Sequence, residues 1–196
     1  MFSLCILLVC SIEQRRYWSC LVYCLSLCTL YLSSTLYHSF FTLKATKRIF
    51  QIFDHAAIFL LIAGTYTPFL AILFPDREIW SVYLLAFLWM VCAFGIGLTA
   101  FFHGPSKQHI LLALYLSMGW AILLCISDVI ARLDPMGLRW LIIGGLCYTG
   151  GVPFFIKDGH MDHAVWHLFV LAGSICHWFG IYWYLIPVGL SPHAAS

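Results

Sequence analysis

The stretch DGHMDHAVWHLFVLAGSICHWFGIYWYLIP, running from Asp158 to Pro187, joins a polar head to a long apolar run. Its first ten residues hold three of the nine histidines and two of the eight acidic residues of the chain. The apolar remainder is long enough for a helix to cross a bilayer, which takes about 20 residues. Polar side chains at the mouth of such a helix are costly and mark functional candidates. His163 and His167 lie four apart, so on a helix they stack on one face about a turn apart, where two imidazoles can grip one metal ion.

Outward from this stretch the chain repeats its apolar half. It is 63% hydrophobic and 9% charged, whereas soluble domains are about 25% charged, so a water-soluble fold is excluded. Apolar runs recur with short breaks, the pattern of a polytopic helical membrane protein. The period-two alternation of barrel strands is absent. A dispersed formal charge of +2 gives no footing for a nucleic-acid partner. Without a Gly/Ser linker, charge block or low-complexity tract, residues 1–196 read as one membrane domain. The nine cysteines fall mostly inside apolar spans, where they act as small polarizable hydrophobes. Cys20, Cys24 and Cys28 share a helix stripe, which reads as the lining of a helix contact rather than as a thiolate metal site.

Taken in order, Met1 to Ile12 is apolar but short, and reads as a spanning helix cut at its start. A signal peptide would want a basic leader and a small-x-small cleavage site, and both are missing. Further spans run from about Tyr17 to Thr42, Phe50 to Phe74, Ile79 to Phe102, His109 to Arg132 and Leu138 to Phe155, with a last one from about Asp162. The expected fold is therefore all-α, a seven-transmembrane helical bundle with a truncated first helix. Pro68 removes a helix donor from the third span, and Thr65 or Thr67 is available to satisfy the freed backbone. Gly144, Gly145, Gly150 and Gly151 allow close helix approach in the sixth. Lys44, Lys47 and Arg48 form the densest basic cluster, although Lys and Arg divide evenly between the two membrane faces and the positive-inside rule gives no orientation.

Span parity sets the site. The end of the second span and the starts of the third and seventh fall on one membrane face, which puts His38, Asp54, His163 and His167 in one polar layer. Ser34 shares the helical face of His38. Three imidazoles with an open fourth position form the arrangement of a catalytic zinc site, which lowers the pKa of a bound water to about 7. Asp54 is then the carboxylate that orients the water and accepts its proton, and Ser34 a donor to the water or to a substrate carbonyl. Each residue has a plainer reading: His38 as an interfacial residue bonded to backbone, Asp54 as an ion-pair partner of Lys47 and Arg48. Jointly, the metal reading is favoured. His55 and His160 read as structural or solvent-facing, and His177 as a buried hydrogen-bonding residue. His103, His109 and His193 carry no signal.

Ser34-x-x-x-His38, the run from Asp54 to Pro68 and His163-Ala-Val-Trp-His-Leu-Phe-Val-Leu-Ala-Gly173 together resemble the haemolysin III branch of the progestin and adipoQ receptor family. The likeness extends over nearly all the chain from about residue 30, including Leu114 to Trp120 and Gly144 to Tyr148. It implies seven helices, a cytoplasmic N-terminus and a zinc near the cytoplasmic face. The implied ligands are His38, His163 and His167, with Asp54 and Ser34 around the metal-bound water. Relatives in the wider superfamily, which includes alkaline ceramidases, hydrolyse lipid amides. This chain departs from the pattern in starting inside the first span.

The leading expectation is a zinc-dependent hydrolase of a lipid amide or ester, multi-pass in a membrane, with the plasma membrane favoured. A receptor or sensor with a structural zinc is the first alternative. A lytic pore former is the second, and it lacks the polar stripe along several helices that a channel needs.

Overall fold

The computed structural model describes residues 14–40, 44–74, 79–157 and 160–187, without the side chains of Gln14, Arg15, Lys44, Ala45, Lys47, His160, His163 and Ala164. Among these, every regular element is a helix: α1 (Gln14–Ser39), α2 (Lys44–Leu73), α3 (Ile79–Phe101), α4 (Lys107–Gly119), a tighter 3₁₀ stretch (Trp120–Cys125), α5 (Ile126–Arg132), α6 (Pro135–Lys157), α7 (His160–Phe179) and a closing π turn (Gly180–Leu185). Six helical stretches are long and apolar enough to cross a membrane: Arg16–Ser39, Arg48–Leu73, Ile79–Phe101, Lys107–Arg132, Pro135–Lys157 and Val165–Leu185. The helical membrane class stands as expected, with six spans among the described residues against the seven counted from the sequence. The truncated first span, Met1 to Ile12, lies outside the described residues.

The helices gather into two compact units, Met1–Gly119 and Trp120–Ser196. In the first, α2 packs against α1, α3 and α4. Its most apolar window is 72% buried, against 39% for α1 and 22% for α3, so α2 is the core of the unit and its neighbours face lipid. The face α1 turns inward carries Ser19, Cys20, Tyr23, Cys24, Ser26, Leu30 and Ser33, one helical stripe. Cys28 is exposed, because successive i+4 steps drift about 40° each around the helix and carry it off the contact that holds Cys20 and Cys24. The serines stay buried by donating to their own helix: Ser19 to Arg16 O, Ser26 to Tyr23 O and Ser33 to Leu30 O.

Two details differ from the expectation. Thr65 and Thr67 donate to Leu61 O (2.7 Å) and Ala63 O (2.9 Å), each to the carbonyl four residues back. The carbonyl that Pro68 deprives of a donor belongs to Gly64, so neither threonine repairs it. The span read from His109 to Arg132 is also not one α-helix. Where α4 tightens into the 3₁₀ stretch, the Tyr66 hydroxyl donates to Gly119 O at 2.9 Å, drawing that carbonyl from the helical ladder.

In the second unit α6 packs on α7 and on the π turn. Gly137, Gly144 and Gly151 recur every seven residues along the contact face. A Cβ at Gly137 would lie 2.7 Å from Tyr184 Cβ, one at Gly151 2.9 Å from Phe169 Cβ, and one at Gly144 would overlap the His177 ring. Close approach through small residues is the usual means of helix packing in lipid. It allows the Tyr148 and Ser174 hydroxyls to bond at 2.8 Å and the His177 ring, at Nε2, to donate to Leu141 O at 3.2 Å. The buried hydrogen-bonding place read for His177 is thus where it sits.

Candidate functional site

Asp54 lies nearly three turns into α2, on the side that meets α1, and is 3% exposed. A carboxylate so placed needs donors, since burying an unpaired polar group in an apolar setting is expensive. The Ser34 side chain of α1 stands beside the carboxylate, and His38 and His55 lie close enough to act on its charge. His38 itself is exposed and its ring stands edge-on to Tyr37, centroids 5.0 Å apart. An exposed imidazole one turn beyond a half-buried serine, with the buried Asp54 behind them, gives the cluster an outward and an inward side.

The sequence reading placed Ser34, His38 and Asp54 together, and in the first unit they are together. Ser34 stands beside Asp54 from the facing helix, near enough to act on its carboxylate. Asp54 does not pair with Arg48, whose guanidinium donates to His103 Nε2. That contact removes the plain ion-pair reading of Asp54 with Arg48, and gives His103 a partner where the sequence suggested none. His55 is structural as read, Nδ1 donating to Gln51 O at 2.8 Å.

One residue of the cluster escaped the sequence reading. Tyr115 of α4 is 8% exposed, donates its hydroxyl to His55 O at 2.8 Å, and feels the charge of Asp54. Its ring packs on Phe59 at 4.5 Å between centroids. A tyrosine inside an apolar span is itself a signal, because a buried hydroxyl needs a partner, but nothing in its spacing names that partner. Three helices of the first unit therefore wall the carboxylate: α1 with Ser34 and His38, α2 with Asp54 and His55, and α4 with Tyr115.

The remaining predicted residues belong to the second unit. His163 and His167 lie four apart on α7, which fulfils the helical spacing that the sequence required. His167 is half-buried against Trp166, rings 4.6 Å apart. The side chain of His163 is outside the described residues. Among the described residues of either unit, no three His, Cys, Asp or Glu side chains gather closely enough to hold an ion.

Comparison with known proteins gives the family. Residues 1–178 match the family described as Haemolysin-III related. The chain is 42% identical to the Hemolysin-3 homolog of Bacillus subtilis over 170 residues, covering 85% of this chain and 77% of that protein. It is 41% identical to Hemolysin-3 of Bacillus cereus over 167 residues, 85% of this chain and 74% of that one. A human protein, monocyte to macrophage differentiation factor, is 31% identical over 172 residues, 84% of this chain and 69% of its own length. The chain belongs to the haemolysin III-related family and is an integral, multi-pass membrane protein.

Proposed function

We propose that the chain is a membrane-embedded hydrolase of a lipid amide or ester, with zinc as its cofactor. The observation that carries this reading is the Asp54 carboxylate, buried on α2 and set beside Ser34 and the exposed His38 of α1. A general base must stand beside the proton it takes, and Asp54 is the one buried carboxylate among the described residues.

The donor set suits zinc, which takes imidazole nitrogen readily. His38, His163 and His167 are the residues that would hold it, on the strength of span parity and of the one-turn spacing on α7. When bound, it would supply a Lewis acid for a carbonyl oxygen. In this reading Asp54 takes the proton of the attacking water and returns it to the leaving nitrogen or oxygen. Ser34 keeps the carboxylate aimed, and Tyr115 closes the floor of the pocket against further water. The substrate enters from the bilayer, because the cluster lies just beneath the headgroups, nearly two turns inside the start of the span Arg48–Leu73.

Turnover of amide- and ester-linked lipids by purified, zinc-loaded protein tests the proposal. Asp54→Asn and His167→Ala should each lower the rate at least a hundredfold, the scale of a lost general base. Equal rates in all three proteins would sink it. The names of the Bacillus relatives favour a second reading, lysis of membranes. The buried serines of α1 weigh against a channel, since they are satisfied within their own helix. Liposome leakage that follows protein dose and ignores zinc chelation would favour lysis over hydrolysis.

A further inference from the structure

The densest basic cluster of the sequence has no part in the hydrolytic reading, yet in the first unit one of its members is drawn into a compact arrangement. Arg48 opens its span, Lys107 opens another, and His103 stands two residues beyond the end of α3 at Phe101. All three therefore sit at the level of the membrane surface. The Arg48 guanidinium donates to His103 Nε2, and the Lys107 ammonium is close enough to Arg48 to repel it. Lys107 also donates to Thr99 O at 2.6 Å, the last turn of α3, which leaves two of its three protons unspent. Arg48 likewise keeps most of its five donors.

Among the described residues no carboxylate pairs with any of the three. The nearest acid along α2, Asp54, lies six residues further in, about 9 Å along the axis at 1.5 Å per residue, and stands beside Ser34. Cations that only snorkel spread singly toward water. Here a guanidinium, an ammonium and an imidazole are gathered instead, with unused donors and, among the described residues, no carboxylate paired with them. Beside them Ile49, Phe101 and Phe102 are 53%, 84% and 37% exposed, apolar surface at the height of the first acyl carbons.

We propose that Arg48, His103 and Lys107 form a binding site for the phosphate of an anionic phospholipid headgroup. Planar guanidinium and a nearby ammonium are the chemistry that recognises phosphate oxygens. The flanking apolar side chains favour a phosphate that carries acyl chains. The site is separate from the Asp54 pocket and stands whether or not that pocket hydrolyses anything.

Native mass spectrometry of the detergent-purified chain, incubated with dioleoyl phosphatidylglycerol or dioleoyl phosphatidylcholine, measures it directly. The unmodified chain should hold phosphatidylglycerol the more tightly. Arg48→Gln and Lys107→Gln should each weaken that binding about fivefold, the worth of one basic residue near an anionic surface. Arg48→Lys should retain most of it, which separates lost charge from lost fold, and Asp54→Asn should leave it intact. Equal retention of the two lipids, or binding untouched by both glutamine variants, overturns the site. Inorganic phosphate that binds alone as tightly and displaces the lipid overturns the lipid assignment in favour of free phosphate.

Discussion

Asp54 and Ser34 form the smallest unit in which this protein departs from a bundle of apolar helices. A hydrogen bond to a charged group contributes about 1.5–3 kcal/mol, and removing the donor leaves the acceptor buried and poorly served. Ser34→Ala should therefore lower the melting temperature of the detergent-purified chain, with a loss on that order. Asp54→Asn should cost less, since its amide oxygen can still accept from Ser34. Comparing thermal unfolding of the two variants with the unmodified chain checks the order; a Ser34→Ala protein as stable as the parent would mean that the hydroxyl does not serve the carboxylate. Much of this residue-scale arrangement is legible in the sequence. The i to i+4 spacing of Ser34 and His38 fixes a shared face, and span parity brings Asp54 to the same level. The Tyr115 and His103 contacts are not legible, because each joins helices more than fifty residues apart through a single side chain, and no period records such a meeting.

At the scale of the element, α2 is set by what its neighbours cannot afford to be. A methyl group at Gly64 would overlap the Ser26 hydroxyl, and one at Gly95 of α3 would run into the Phe59 ring. Phe59 is fully buried and backed by Tyr115, so its ring has nowhere to retreat. Gly95→Ala should destabilise the chain by about 1–3 kcal/mol, the usual range for overpacking a filled core. Phe59 also lies between Gly95 and the floor of the Asp54 pocket, so the same variant should slow any reaction there. Thermal unfolding alongside turnover checks both; a Gly95→Ala protein of unchanged stability would contradict the packing. Hydropathy shows that α2 is apolar but not that it is the central helix, because a helix facing lipid and a helix facing protein read alike. The break of α4 into a 3₁₀ stretch is invisible for a related reason: it depends on the Tyr66 hydroxyl reaching Gly119.

For the molecule as a whole, the number and order of the described spans are nearly complete in the sequence, since length and composition mark a membrane helix almost unaided. The six spans imply that Ser106, before Lys107, and Asp134, after Arg132, lie on opposite sides of the membrane. Epitopes placed at these two positions should be reached from opposite faces in intact and opened vesicles. Recognition of both from one face would show that Lys107–Arg132 does not cross. Charge gave the sequence reading no orientation because basic residues are shared evenly between the faces; the gathering of Arg48, His103 and Lys107 on one rim is a fact of tertiary structure, and no count of loops contains it.

The nearness of Ser34 to Asp54 bears also on how the chain is made. Ser34 leaves the ribosome twenty residues ahead of Asp54, so α1 precedes the acidic turn of α2 to the insertion machinery. A carboxylate entering hydrocarbon alone faces a steep barrier, and a polar neighbour already in place lowers it. On that account α1 would escort α2, and Ser34→Ala should yield more chains whose second helix fails to integrate.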